Sequence, residues 1–317
     1  MPGDDPAEAC RLVLGELPDL PFLPELPGRG PHADLTGRGV ALLVDLHADL
    51  QPSGWRTTPR AGRDSRLARD LLARDLDALE QAASGSPPDR LKVQAPGPWT
   101  LAATMELHRG DRVLADPVAV KDLTTSLAEG LRLHLADLAR RLPGTELLLQ
   151  VDEPSLPAVL AARIATASGF DTIRAPAHEV AKERLAEVLA VASFALVHCC
   201  AGDPPVALLR EAGASAMSLD ATLLTERNDD AIGGAVESGA GLFLGVLPTG
   251  GGALPDLDAL IRPVTALWRR LGFIADDLAR TVVLTPTCGL AGAPPGYSER
   301  VFAAAREMGR RLREAPQ

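Results

Sequence analysis

Residues 193–200 read Ser193-Phe-Ala-Leu-Val-His-Cys-Cys200. Phe194 to Val197 is a short, all-apolar run of the kind that lies buried on both faces in a parallel sheet, and it ends in residues that carry chemistry. Side chains alternate along a strand, so His198 and Cys200 leave on one side and Cys199 on the other. The pattern recurs: Leu91-Lys-Val-Gln-Ala-Pro96 carries Gln94, Glu146-Leu-Leu-Leu-Gln-Val-Asp152 carries Gln150 and Asp152, and Ala214-Ser-Ala-Met-Ser-Leu-Asp220 ends in Asp220. Thr281-Val-Val-Leu-Thr285 runs on to Thr287 and Cys288, and Gly241-Leu-Phe-Leu-Gly-Val-Leu-Pro248 supplies another strand. Reactive groups at the carboxyl ends of so many strands describe a barrel, because those ends ring a single mouth, whereas an open sheet would scatter them.

Working outward, apolar residues at helical period predict helices over about 64–83, 98–107, 116–142, 156–168, 178–191, 204–212, 229–238, 257–271 and 297–313. A short strand at Asp171 to Arg174 and a weaker one at Val40 to Val44 complete the alternation. The expectation is an α/β chain, a (β/α)8 TIM barrel in a single domain over 1–317, with its first strand missing or truncated. Within it, 1–63 reads as a loop-rich N-terminal cover, since Glu16-Leu-Pro-Asp-Leu-Pro-Phe-Leu-Pro-Glu-Leu-Pro27 strings prolines too closely for regular helix.

The 317 residues suit one such barrel, and 46% hydrophobic with 23% charged residues excludes disordered and fibrous classes. Lys+Arg of 32 against Asp+Glu of 42 leaves a formal charge of −10, and only Lys92, Lys121 and Lys182 are lysines. Without a basic stripe, neither nucleic acid nor an anionic membrane is an expected partner, which leaves small-molecule chemistry. No apolar run approaches the roughly 20 residues of a membrane span, and Met1-Pro-Gly-Asp-Asp5 lacks the regions of a signal peptide, so the expected location is cytoplasmic. Thr249-Gly-Gly-Gly252 opens no phosphate-binding helix, and no nucleotide cofactor is expected.

His198 and Cys200, Asp220 at the end of the following strand, and Cys288 after a later strand that a barrel mouth would bring back offer N, S, O and S, a set that suits zinc. A metal held by thiolates and a carboxylate is electron-rich and favours activating a substrate thiol as thiolate over acidifying water, so the implied reaction is thiol alkylation. Cys10 and Cys199 read as small packing residues, and the other five histidines as solvated. Gln150 and Asp152 share the mouth side of their strand, where Asp152 is suited to hold a substrate ammonium group or to cap the following helix. Trp99, in Pro96-Gly-Pro-Trp99, is placed to line the mouth or simply to pack.

With these residues in hand, the chain resembles the catalytic C-terminal barrel of the cobalamin-independent methionine synthase family. The matching stretches are Ala95-Pro-Gly-Pro-Trp-Thr100, Gln150-Val-Asp-Glu-Pro-Ser155, Val197-His-Cys-Cys200, Ser218-Leu-Asp220 and Thr285-Pro-Thr-Cys-Gly-Leu290, in the family's order. The resemblance implies a Zn²⁺ site in which His198, Cys200 and Cys288 match the family's ligands, and it implies that Asp152 matches the acid that binds the amino group of homocysteine. The family chemistry is methyl transfer to homocysteine thiolate, giving methionine. Asp220 stands where the family presents Glu, there is no room for a second barrel that helps hold folate, and Gly245-Val-Leu-Pro248 lacks the histidine that serves folate. The chain also begins where the loop holding the homocysteine carboxylate should end, as expected of a piece of a longer protein.

The expectation is therefore a zinc S-methyltransferase acting on a small thiol, homocysteine first, with a methylated corrinoid protein as a partner that could replace folate as donor. Alkyl transfer to a coenzyme M-like thiol and a catalytically inactive zinc-binding barrel are the alternatives.

Overall fold

In the computed structural model, which describes residues 1–314, two antiparallel strands, β1 (His47–Gln51) and β2 (Gly54–Thr58), form a hairpin of their own. The apolar runs after residue 90 form six parallel strands hydrogen-bonded in chain order: β3 (Arg90–Pro96), β4 (Glu146–Asp152), β5 (Ala195–Cys199), β6 (Ala216–Asp220), β7 (Gly241–Leu247) and β8 (Val282–Pro286). Helices separate successive strands, as a parallel sheet requires, among them Pro98–Thr104, Pro117–Arg141, His178–Leu189 and Leu257–Arg270. The sheet is a half-barrel, consistent with a TIM-like fold.

Alternation gives the two faces different chemistry. Leu91, Val93 and Ala95 of β3, Leu149 and Val151 of β4, Val197 and Cys199 of β5, and Leu242 and Leu244 of β7 are buried in the main core beneath the helices. The other face changes character along the strands. At the amino-terminal ends Leu196, Ala216 and Phe243 make a small separate apolar cluster with Leu20 and Phe194. One step further on stand His198 and Ser218, with Gln150 and Asp152 beside them, so the floor is apolar and the mouth polar.

Beyond β3 the chain adds one rung of a further parallel strand. Lys92 N donates to Pro21 O and Leu23 N to Lys92 O, both at 2.9 Å. The prolines of 18–27 explain why it stops there, since proline cannot donate to a ladder. At the far edge, β8 faces the segment 17–22 across a cavity rather than through hydrogen bonds.

Several N-terminal expectations are corrected. The cover is not simply loop: Pro6–Glu16 is a helix whose Asp5 cap accepts from Ala7 N and Glu8 N, with Pro6 in the favoured first turn. Val40 to Val44 is not a strand, because Asp34 caps a helix over Leu35–Leu42 by accepting from Gly37 N at 2.8 Å, and a short apolar run fits either state. Buried ion pairs tie this region to the helix Arg63–Ala83: Asp75 meets Arg38 at 2.7 Å and Arg29 at 2.8 Å. Later in the chain, the helix expected over 156–168 ends at Leu160, and Asp171 to Arg174 contributes only an isolated antiparallel bridge, Ala165 with Thr172. Among the described residues no helix is long and apolar enough to cross a membrane.

Candidate metal centre

His198 sits on the mouth face of β5 with Asp152 and Ser218 as its register partners on β4 and β6. Its Nδ1 lies 2.9 Å from Ser218 Oγ, which fixes the ring and leaves Nε2 as the nitrogen able to ligate. Cys200 follows on the same side, just past the strand. Cys199 faces the other way into the core, where burial pushes its thiol up to about 11.

Cys288 comes from the opposite edge of the sheet. Beyond β8 the chain bends inward, held by Thr287 N donating to Leu247 O at 3.0 Å, next to a register shift between Gly245 and Leu247. Gly245 makes that bend possible: a Cβ there would stand 2.6 Å from Thr287 Cα and 2.9 Å from Pro286 O. The result is a 3.6 Å approach of Cys288 Sγ to Cys200 Sγ. Ligand atoms of His198, Cys200 and Cys288 all lie within 4.8 Å of one another. Hydrogen bonds from Cys200 and then His198 pull the Cys288 thiol well below its usual value, and the Cys200 thiol that shares its proton is pushed up.

Asp152 ends β4 beside this group and is almost fully buried. Gln150 Nε2 donates to its Oδ1 at 2.7 Å. Burial raises the Asp152 carboxyl to about 6, opposed chiefly by the neighbouring His198. Gln150, Asp152, His198, Cys200, Ser218 and Cys288 line one cavity of about 710 Å³.

Two expected site residues lie elsewhere. Asp220 is on the mouth side at the end of β6, but its short side chain turns back on its own loop, Oδ1 accepting from Thr222 N at 2.9 Å and Thr222 Oγ1 at 2.6 Å. Among the described residues the group able to hold a metal is His198, Cys200 and Cys288, with Asp220 outside it. Trp99 does not line the mouth. It is 1% exposed, and its Nε1 donates to Ala181 O at 3.1 Å, so it packs its helix against the helix His178–Leu189.

Residues that sequence reasoning passed over complete the frame. Glu153, wholly buried, turns its carboxylate to the open amino terminus of the helix Pro98–Thr104, accepting from Trp99 N at 2.9 Å and from Thr100 N and Oγ1 at 2.7 Å. Gly97, the residue before that helix, has no side chain to cap it, and a Cβ there would lie 2.3 Å from Glu153 Oε1. Glu153 N in turn donates to His198 O at 2.8 Å, so the helix cap, β4 and the ligand strand are one hydrogen-bonded unit. Ser218 was visible only as a motif member, and nothing local marks it as the partner of His198.

No protein-family model matches the sequence, and no curated protein matches it by sequence similarity. By structure, the chain is similar to a B12-independent methionine synthase from Shewanella sp. W3-18-1 in complex with selenomethionine, with a TM-score of 0.54 at 12% identity. The two share a fold. The alignment covers 75% of this chain and 66% of the other, slightly less than two thirds of that protein's length. At this level of identity the likeness is one of fold.

Proposed function

We propose that this protein is a zinc-dependent methyltransferase that transfers a methyl group to a small thiol, with homocysteine as first candidate. The observation that carries this reading is the grouping of His198, Cys200 and Cys288 within 4.8 Å, at a cavity that Asp152 also lines.

The donor set fits zinc. Thiolates about 2.3 Å from a tetrahedral Zn²⁺ stand roughly 3.8 Å from each other, close to the 3.6 Å between Cys200 and Cys288. Three protein ligands are the complement of a catalytic site, in which a fourth position is left to water or substrate. When bound, zinc supplies Lewis acidity, lowering the pKa of a substrate thiol from roughly 8.5 so that its sulfur is nucleophilic at neutral pH.

The chain's own residues do the rest. Ser218 holds the His198 ring in one orientation, and Gln150 steadies the Asp152 carboxyl. Asp152 takes the substrate ammonium, and pairing with it offsets the cost of keeping a carboxylate buried. The apolar floor of Leu196, Ala216 and Phe243 keeps water from below the reacting sulfur. The thiol gives up its proton and its sulfur forms a bond to the donor's methyl carbon as the donor's own bond to that carbon breaks. The candidate donors are a methylated corrinoid protein or another small methyl compound docking at the mouth.

The test is to incubate zinc-loaded protein with homocysteine and either methylcobalamin or 5-methyltetrahydrofolate and to follow methionine by mass spectrometry. Methionine formed by wild type and lost in Cys288→Ser supports the reading. Zinc-loaded protein that methylates neither homocysteine nor a coenzyme M-like thiol with either donor overturns it.

A further inference from the structure

We infer that Lys92 determines substrate specificity by binding the acid group of the thiol substrate, so that the cavity selects amino-acid thiols over simple aminothiols. The inference rests on the thiol-transfer reading of the same site and names the class of thiol it takes.

Lys92 lies on the inner face of β3, two residues before Gln94, and its side chain lines the cavity together with Asp152, His198 and Cys288. Its Nζ has one hydrogen-bond partner, Gln94 Oε1 at 3.0 Å. Gln94 Nε2 donates to Leu23 O, which holds the amide with its oxygen turned to the lysine. On another side the Phe22 ring centroid is 5.4 Å away, an arrangement that favours a cation without neutralising it. An ammonium has three donors, and this one uses a single one within the protein.

Among the described residues no carboxylate comes within ion-pair distance of Lys92; Asp152 and Glu25 act on it only through space. The other acids near the site are already engaged, Asp152 with Gln150 and Glu25 with Arg38. Lys92 is half-buried at the cavity wall with no counter-ion in contact, so an anion arriving in the cavity gains a charge-assisted partner there. Asp152 and Lys92 thus present opposite charges to the space beside the two thiols, the complement of a zwitterion that also carries a sulfur. A 2-amino acid with a side-chain thiol meets all three groups at once, whereas an aminothiol without a carboxylate leaves Lys92 unpaired.

The test is calorimetric titration of zinc-loaded wild type and Lys92→Met with homocysteine and with 3-aminopropanethiol, which lacks only the carboxylate. A charge-assisted contact of this kind predicts homocysteine affinity lowered by about 10-fold or more in the variant, with 3-aminopropanethiol within twofold of wild type and zinc content unchanged. Lys92→Gln, which keeps a polar side chain one atom shorter and removes the charge, serves if Lys92→Met fails to fold. Equal weakening of both thiols makes Lys92 a structural residue and overturns the inference, as does homocysteine affinity that the substitution leaves alone. In both of those results the thiol-transfer reading survives; wild type that binds zinc but neither thiol overturns both.

Discussion

The Sγ atoms of Cys200 and Cys288 lie 3.6 Å apart although 88 positions separate them in the chain. They come from strands that are not neighbours, with β6 and β7 between them. What joins them is the curvature of the half-barrel and the inward bend after β8.

That bend depends on Gly245. A methyl group at this position would meet the Thr287 backbone at 2.6 Å, so in Gly245→Ala the segment carrying Cys288 must move away from His198 and Cys200. We expect zinc affinity to fall by roughly 10–100-fold, the range seen when ligand-positioning groups are disturbed, with the helical circular dichroism unchanged. Competition with a zinc-binding dye measures it, and wild-type affinity in the variant would rule out this role for the glycine.

Asp220→Ala should leave zinc bound. Its carboxylate serves Thr222 and not the metal group, so the expected cost is about 1 kcal/mol of stability for the lost turn hydrogen bonds. Zinc lost together with the carboxylate would show instead that Asp220 swings into the site when metal is present.

Trp99→Phe separates a wall of the mouth from a packing residue. The substitution removes the bond to Ala181 O and some buried volume, at about 1–2 kcal/mol of stability, while homocysteine affinity stays within twofold of wild type. A large loss of affinity at preserved stability would return the ring to the mouth.

Glu153 contributes a pH dependence of known sign. Burial raises its carboxyl from 4.5 to about 7, against the hydrogen bonds of Thr100 and Trp99. Between these values the folded protein keeps a proton that the unfolded chain has released, so this contribution is fully present below about 4.5 and is lost as the pH rises through 7. Urea midpoints of wild type should therefore fall across this window more steeply than those of Glu153→Gln, and parallel curves would contradict the assignment.

Much of this was legible in the residues because strand alternation is a local property. The run from Glu146 to Asp152 is a strand with the boundaries its composition indicates, and the pairing of His198 with Cys200 on one side follows from a period of two. What was not legible is set by contacts between distant segments. Glu153 caps a helix some fifty residues earlier in the chain, and Ser218 orients His198 from the next strand. A tryptophan after a strand looks the same whether it faces a mouth or the core, and only the helix around Ala181 decides it. Asp5 and Asp34 are readable helix caps, but the proline run over 18–27 drew the whole cover towards loop, and the apolar run Val40 to Val44 fits strand as well as helix.

In the proposed function, His198, Cys200 and Cys288 hold a zinc ion whose remaining position receives the substrate thiol. Zinc-edge X-ray absorption on the loaded protein, before and after homocysteine, tests it most directly. The expected result is zinc bound one-to-one with the chain, two sulfur neighbours at about 2.3 Å, and a third sulfur when homocysteine is added. Zinc that keeps the same two sulfurs whatever the thiol, or protein purified without chelators that holds no zinc, would contradict it.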